Sequence, residues 1–196
     1  ELNGMMQQAA AEGISVFVAA GDRGAGGSDC ESGTDFRLAN GIQLNAYAAS
    51  PHVTAVGGTD FSDVYSGTTS QYWDVIDPPS PSNYYRSALS YIPEMAWNDS
   101  CASELAYQYY GSGFSSIPGF CGSGFNAGLA YGGGGGASKF VSKPSWQLGV
   151  TGVANDGARG IPDVSLPAAS YNWWQHGLVA CASDPSSTTS TCDLSQ

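Results

Sequence analysis

The sequence is poor in charged residues, and in basic residues above all. Lys and Arg number 6 against 17 Asp and Glu, which gives a formal net charge of −11. Charged residues make up 12% of the chain, about half of the ~25% that is usual in soluble domains. Proteins that bind duplex nucleic acid neutralise its phosphates with clustered Lys and Arg, so this composition excludes nucleic acid as a partner. The excess of carboxyl groups favours a protein that works in acid, where much of the negative charge is titrated.

Long apolar segments are also missing. No run approaches the ~18 residues that a membrane helix requires, so we expect no membrane partner. The chain opens on a polar stretch and shows neither the basic start nor the apolar core of a signal peptide. Low charge together with abundant Ser, Gly and Tyr is nevertheless typical of secreted proteins, and we expect an extracellular location.

Several catalytic and binding motifs are absent. No serine lies in a Gly-x-Ser-x-Gly elbow, and there is no phosphate-binding Gly-x-x-x-x-Gly-Lys loop. The cysteines form no Cys-x-x-Cys pair and both histidines, His52 and His176, lie far from them, so we expect no metal site and interpret the histidines as structural. The glycine run Gly132–Gly136 fits a dinucleotide fingerprint only formally, because any glycine run would. Motifs alone therefore predict neither a catalytic set nor a cofactor.

The five cysteines suit an oxidising compartment. The two short loops favour pairing Cys101 with Cys121 and Cys181 with Cys192, which leaves Cys30 over. An odd count has two interpretations: a free thiol, or a partner in a part of the protein outside this chain.

The first segment of the chain reads as an α/β unit. Apolar residues at helical spacing predict a helix over residues 2–12, which Gly13 ends in a left-handed cap. The continuous apolar run Ile14–Ala20 then predicts a parallel strand buried on both faces. Because ligands of open α/β sheets bind beyond the carboxyl ends of strands, Asp22 in the following Gly-rich loop is the first candidate site residue.

The remainder of the chain is less regular. A short strand is predicted over His52–Gly57, and another over residues 161–165. Between them, residues 61–131 are rich in Tyr, Ser and Gly and predict a long functional insertion. We expect one domain over residues 1–196, composed of an α/β core at 1–60, this insertion at 61–131, and a Gly-rich segment with a Pro-Asp-Val-Ser region at 132–196.

Five local strings along these segments are distinctive and together cover nearly the whole chain apart from the insertion. They are Ala19-Ala20-Gly21-Asp22, the strand Ala48–Thr59, Trp97-Asn98-Asp99, Gly134-Gly135-Gly136-Ala137-Ser138 with Pro144-Ser145-Trp146-Gln147, and Arg159–Ser165. In this order they resemble the sedolisins, the serine-carboxyl peptidases with a subtilisin-like fold.

The resemblance implies a partial subtilisin-like, three-layer α/β/α fold with a mainly parallel sheet and a long irregular insertion. Sedolisins use a serine nucleophile, a glutamate base, an aspartate that orients the base, and a second aspartate in the oxyanion hole. Only the last has a counterpart here, Asp22. The Glu and Asp are expected before residue 1, and the Gly-Thr-Ser segment and the family's calcium site after residue 196. The chain is thus expected to be inactive alone.

Asp22 and the glycine run each keep two interpretations. A carboxyl group donates a hydrogen bond only when protonated, so an oxyanion role for Asp22 implies acidic conditions or a raised pKa, whereas a simple Asx turn needs neither. Gly134, Gly135 and Gly136 either border a substrate cleft or form a close-packed loop. Trp173 and Trp174 are interpreted as core or cover, and Asn98-Asp99-Ser100 is a glycosylation sequon if the source is eukaryotic.

The sequence therefore predicts the central part of a secreted, acid-acting peptidase. Its expected partners are a peptide or protein substrate and the N- and C-terminal parts of the same domain. The rival hypothesis is a non-catalytic sedolisin-like module that binds an extracellular protein or glycan through its many Tyr and Trp residues.

Overall fold

The computed structural model describes residues 2–26, 41–74, 88–123 and 131–169. The chain divides into two compact units, Glu1–Asp60 with Met95–Ala169, and Phe61–Glu94 with Ser170–Gln196. The predicted single domain with an insertion over 61–131 is not tested by this division and stays a prediction. In the described part of the chain, no helix is both long and apolar enough to cross a membrane.

The first unit begins as predicted with a helix, α1, over Leu2–Ala11. Gly13 follows with φ of 79°, and the N–H of Ile14 donates to the carbonyl of Ala9 at 2.8 Å. This left-handed glycine ends the helix and turns the chain into strand β1, which covers Phe17–Ala19.

A mainly parallel sheet forms the centre of this unit. Strand β2 covers Thr54–Phe61 and pairs in parallel with β1 along one edge and with β6, Val164–Pro167, along the other. Beyond the end of β1, strand β3 over Glu94–Ala96 continues the first edge, where the N–H of Trp97 donates to the carbonyl of Gly58. The α/β class with a mainly parallel sheet is therefore confirmed.

Burial of this sheet differs from the sequence prediction. Val18 and Ala20 pack into a core with Ala48, Ala55 and Ile161, so one face is buried. On the other face Phe17 is 68% exposed. The prediction that this strand is buried on both faces is wrong, and only three of its seven residues form the strand.

The other elements complete the described chain. Helix α2 covers Thr69–Tyr72, α3 covers Glu104–Tyr110, and α4 covers Ile117–Cys121. Strands β4, Gly136–Ser142, and β5, Ala158–Ile161, form a separate antiparallel pair, and short 3₁₀ turns lie at Gly24–Gly26 and Ser145–Gln147.

Local sequence explains two of the helices that lie in the predicted insertion, α3 and α4. Ser103 and Ser116 cap α3 and α4, their hydroxyl groups accepting hydrogen bonds from the backbone N–H groups of Ala106 and Gly119. A disulfide joins Cys101, just before α3, to Cys121 at the end of α4. This pairing confirms the sequence prediction, whereas Cys30, Cys181 and Cys192 lie outside the described residues.

Candidate functional site

The candidate site lies where β1 ends. Gly21, with φ of 110°, turns the chain away from the strand, and the exposed Asp22 follows it. Asp22 lines a cavity of about 240 Å³. Among the described residues that line this cavity, Asp22 has the one titratable side chain, and the others are Gly21, Ala168 and residues of β1, β2 and β6. Asp22, which carries a carboxyl group, thus lines a largely apolar cavity at the carboxyl end of a parallel sheet, the position where ligands bind in such folds.

Backbone hydrogen bonds fix the loop that carries Asp22. The carbonyl of Asp22 accepts from the N–H of Gly132 at 3.1 Å, and the N–H of Gly24 donates to the carbonyl of Gly132 at 3.0 Å. The N–H of Gly134 donates to the carbonyl of Gly21 at 2.7 Å. The glycine run therefore extends along this loop like an added strand, and the side chain of Asp22 is held on a rigid support.

The glycine run packs closely against neighbouring backbone. A Cβ atom at Gly134 would lie 2.5 Å from the carbonyl oxygen of Ala20, and one at Gly132 would lie 2.9 Å from that of Trp97. At Gly135 a Cβ atom would lie 2.9 Å from the carbonyl oxygen of Ile161. Such distances leave room for no side chain, so close packing alone accounts for these glycines.

The sequence also allows Gly134, Gly135 and Gly136 to border a substrate cleft. The described residues that line the 240 Å³ cavity do not include Gly134, Gly135 or Gly136. Gly136 has φ of +137° and begins β4. A cleft role for the three glycines stays a prediction.

Asp99 lies across the glycine run from Asp22. Its N–H donates to the carbonyl of Tyr131, and its carboxylate accepts a hydrogen bond of 2.6 Å from the indole of Trp97. Burial raises the pKa of Asp99, and the nearby Asp60 carboxylate raises it further, while the indole hydrogen bond acts in the opposite direction. A carboxyl group whose pKa is raised thus lies on an element adjoining the candidate site.

The Arg159–Ser165 string contains a buried ion pair that the sequence analysis did not anticipate. The guanidinium of Arg159 donates to both carboxylate oxygens of Asp163, each at 2.6 Å. Gln147 donates to the carbonyl of Gly160 and accepts from its N–H, and Asp163 also accepts from the N–H of Ala55. The i,i+4 spacing of Arg and Asp was the available signal, but Pro162 between them argued against a helix on which that spacing brings side chains together.

Of the other residues singled out in the sequence, His52 lies away from this site. His52 borders a different cavity, beside Thr54 at the start of β2. His176, Trp173 and Trp174 lie outside the described residues. In the described part of the chain, no group of three or more His, Cys, Asp or Glu side chains is arranged to hold a metal ion.

The fold and the site together define an α/β unit in which the carboxyl-bearing residue Asp22 lines a cavity at the carboxyl end of the parallel sheet. One solved structure that the chain resembles is Pseudomonas sedolisin, a serine-carboxyl proteinase, complexed with two molecules of pseudo-iodotyrostatin. The match has 25% sequence identity and a TM-score of 0.49, and it covers 85% of this chain and 32% of that one. No family model and no curated protein matches the chain.

This neighbour belongs to the class of protein that the sequence strings resemble. This chain spans 32% of the neighbour's length.

Proposed function

We propose that this chain is the central part of a secreted, acid-acting serine-carboxyl peptidase of the sedolisin type. In this proposal Asp22 lies in the oxyanion hole, where it donates a hydrogen bond to the negative charge that develops during acyl transfer to a serine. The observation that carries the proposal is the position of Asp22. The string Ala-Ala-Gly-Asp puts its carboxyl group on a cavity at the end of a parallel strand.

The chemistry of an oxyanion hole fits this position. A donor aimed at the developing charge contributes roughly 2.7–4 kcal/mol to transition-state stabilisation when its removal has been measured. A carboxyl group donates only in its protonated form, and the net charge of −11 and sequence pI of about 4.1 suit a protein that works where carboxyl groups are protonated. The rigid backbone around Asp22 supports the role, because a preorganised donor needs no rearrangement during the reaction.

The exposed face of the parallel sheet supports the proposal that other parts of the same domain pack on this chain. Ala19 pairs with Val56, which pairs with Val164, and Gly58 pairs with Leu166, so all these residues share one face with Phe17. Phe17, Val164 and Leu166 are 68%, 48% and 62% exposed. Parallel sheets are normally covered on both faces, so we expect a segment from elsewhere in the domain to cover this one.

The remaining catalytic groups are proposed to come from those other segments. In this proposal the serine, the glutamate base and the aspartate that orients it all lie outside residues 1–196. A calcium ion is likewise expected outside these residues, and it has no part in the chemistry proposed for Asp22. The disulfide between Cys101 and Cys121 supports a secreted location, since such bonds persist in oxidising compartments.

The experiment that tests the proposal has two parts. The gene around this chain should encode a Glu-x-x-x-Asp segment before it and a Gly-Thr-Ser segment after it, and the intact product should cleave denatured protein at acid pH. The isolated chain, freed of contaminating peptidases, should show no cleavage at any pH, because loss of a nucleophile has cost about 10⁶-fold in a measured case. An intact product without those segments, or cleavage by the chain alone, would contradict the proposal.

A further inference from the structure

A second cavity, of about 440 Å³, lies at the amino-terminal ends of β1 and β2. The strands are parallel and Asp22 follows the carboxyl end of β1, so this cavity and the candidate oxyanion site lie at opposite ends of the sheet. Its volume falls within the range of roughly 300–1,000 Å³ that small-molecule sites occupy. Nothing in the peptidase proposal requires a cavity at this end.

One wall of this cavity is held rigidly. Trp146 lines it and is 50% exposed, and the guanidinium of Arg159 lies 4.7 Å from the centroid of its ring. Arg159 is fully buried and is fixed in turn by its two hydrogen bonds to Asp163, whose side chain is 13% exposed and also lines the cavity. The indole is therefore a fixed aromatic surface with a cation on one side and a cavity beside it.

The rest of the lining mixes apolar and polar groups. Ile14 adds apolar surface beside the indole, and it is 54% exposed. Ser15, Thr54 and His52 add two hydroxyl groups and an imidazole, which both donate and accept hydrogen bonds. A ligand that satisfies this lining needs one apolar face and an edge rich in hydrogen-bonding groups.

Charge narrows the class of ligand. The net charge of −11 disfavours anions. A cation finds no free carboxylate among the described lining residues, because both oxygens of the Asp163 carboxylate already accept hydrogen bonds from Arg159, and that guanidinium occupies one face of the Trp146 ring. Neutral ligands remain, and a pyranose ring combines a face of C–H groups with an edge of hydroxyl groups. We propose that this cavity is a carbohydrate-binding site in which a neutral sugar ring stacks on Trp146.

The proposal is tested by calorimetric titration of the full chain with neutral hexasaccharides built from glucose, mannose, xylose and N-acetylglucosamine. Oligogalacturonate and a chitosan hexamer serve as the anionic and cationic probes. We expect saturable binding of at least one neutral probe, and weaker binding of both charged ones. Trp146→Ala should weaken the binding by about tenfold or more. Trp146→Phe keeps an aromatic ring and should restore part of the affinity.

Two further variants separate a binding role from a structural one. Phe140 is 96% exposed and does not line the cavity, so Phe140→Ala is the matched control and should bind like the original chain. Ser15→Phe fills the cavity without changing Trp146, Arg159 or Asp163, and should abolish binding while the urea unfolding midpoint stays unchanged. If Trp146→Ala does not fold, the binding measured for Ser15→Phe tests the proposal in its place. The proposal is overturned if no neutral probe binds saturably, if a charged probe binds more tightly, or if Ser15→Phe binds as well as the original chain.

Discussion

Arg159 holds both carboxylate oxygens of Asp163 with hydrogen bonds of 2.6 Å, and its side chain is fully buried. The same carboxylate accepts from the N–H of Ala55 in β2, and the N–H of Asp163 donates to the carbonyl of Ala55. The pair therefore ties the chain between β5 and β6 to the central strand. It lies in the string Arg159–Ser165 that resembles the sedolisins, and its contacts show a structural reason for those residue types.

Breaking this pair should strongly destabilise the protein. Asp163→Asn and Arg159→Met each leave a buried group without its charged partner, and we expect each to lower the free energy of unfolding by about 3–5 kcal/mol. The double variant should lose less than the sum of the two, because it leaves no uncompensated charge. Urea unfolding of all four proteins gives the coupling. Asp156→Asn removes the more exposed partner of another ion pair, in which the Asp156 side chain is 39% exposed and that of Lys143 is 3% exposed, and it should have a smaller effect. Additive losses in the double variant would show that the two side chains do not act as a pair.

Because the glycine run is closely packed, Gly134→Ala and Gly4→Ala should have opposite effects on the free energy of unfolding. Gly134→Ala puts a Cβ atom 2.5 Å from the carbonyl oxygen of Ala20, so we expect a loss of about 1–3 kcal/mol or more in the free energy of unfolding. Gly4 lies within α1 and a Cβ atom there meets nothing within 4 Å, so Gly4→Ala should stabilise by about 0.5–1 kcal/mol. Thermal or urea unfolding measures both. Equal effects at the two positions would contradict the packing shown for Gly134.

The sequence predicted the elements that local rules determine. The helix over 2–12 with Gly13 as its cap, the α/β class and the disulfide Cys101–Cys121 were all within reach of spacing and composition. The exposure of Phe17 could not be predicted from spacing and composition, because whether a strand is covered depends on elements far away in the chain. The Arg159–Asp163 pair was missed for a similar reason, since its geometry depends on the turn between two strands.

The candidate site, too, could be predicted from the sequence only in part. The string Ala-Ala-Gly-Asp and the strand before it identified Asp22, and the structure places that residue on a cavity. The sequence could not tell whether Gly134, Gly135 and Gly136 border a substrate cleft or form a close-packed loop. That distinction depends on which carbonyl groups approach them, and only the folded chain defines those neighbours.

Removal of the disulfide should destabilise the segment that carries α3 and α4. The bond between Cys101 and Cys121 spans 20 residues. Chain-entropy estimates for a loop of that size give about 3 kcal/mol. The variant Cys101→Ala with Cys121→Ala should lose about that much in the free energy of unfolding. Peptide mapping without reduction checks the pairing and also tests the predicted bond between Cys181 and Cys192 with Cys30 free; a bridge that contains Cys30 would contradict that part.

Asp99 should make the protein less stable as the pH rises from acid. Burial, and secondarily the Asp60 carboxylate, raise the pKa of Asp99 above its ordinary value of 3.8, so the folded state holds this proton more tightly than the unfolded state. Its contribution to stability is fully present below pH 3.8 and is lost as the pH rises through the raised folded pKa. Asp99→Asn should remove this loss, and Asp60→Asn should reduce it. Unfolding free energies measured across acid pH test this, and identical pH profiles for Asp99→Asn and the original protein would refute it.

The role of Asp22 is tested in the intact parent protein, where the proposal supplies a complete site. Asp22→Ala removes the hydrogen-bond donor and should lower kcat by roughly 10²–10³. The side chain is exposed on a loop held by backbone hydrogen bonds, so the unfolding midpoint should change little. Asp22→Asn keeps a donor that needs no proton. It should therefore retain more activity than Asp22→Ala and lose less of it as the pH rises.

The comparison of the two variants separates an oxyanion donor from a turn residue. Both Asp and Asn stabilise Asx turns, so a turn role predicts that Asp22→Asn behaves like the original enzyme at every pH and that Asp22→Ala alters stability rather than kcat. A donor role predicts that kcat falls for Asp22→Ala at unchanged stability, and that the pH profile of kcat changes for Asp22→Asn. As an oxyanion donor, Asp22 must carry a proton on its carboxyl group, whereas the side-chain amide in the Asp22→Asn variant donates at any pH. The pH profile of kcat is therefore the decisive measurement. If kcat and its pH profile were the same in both variants as in the parent, Asp22 would serve only to turn the loop.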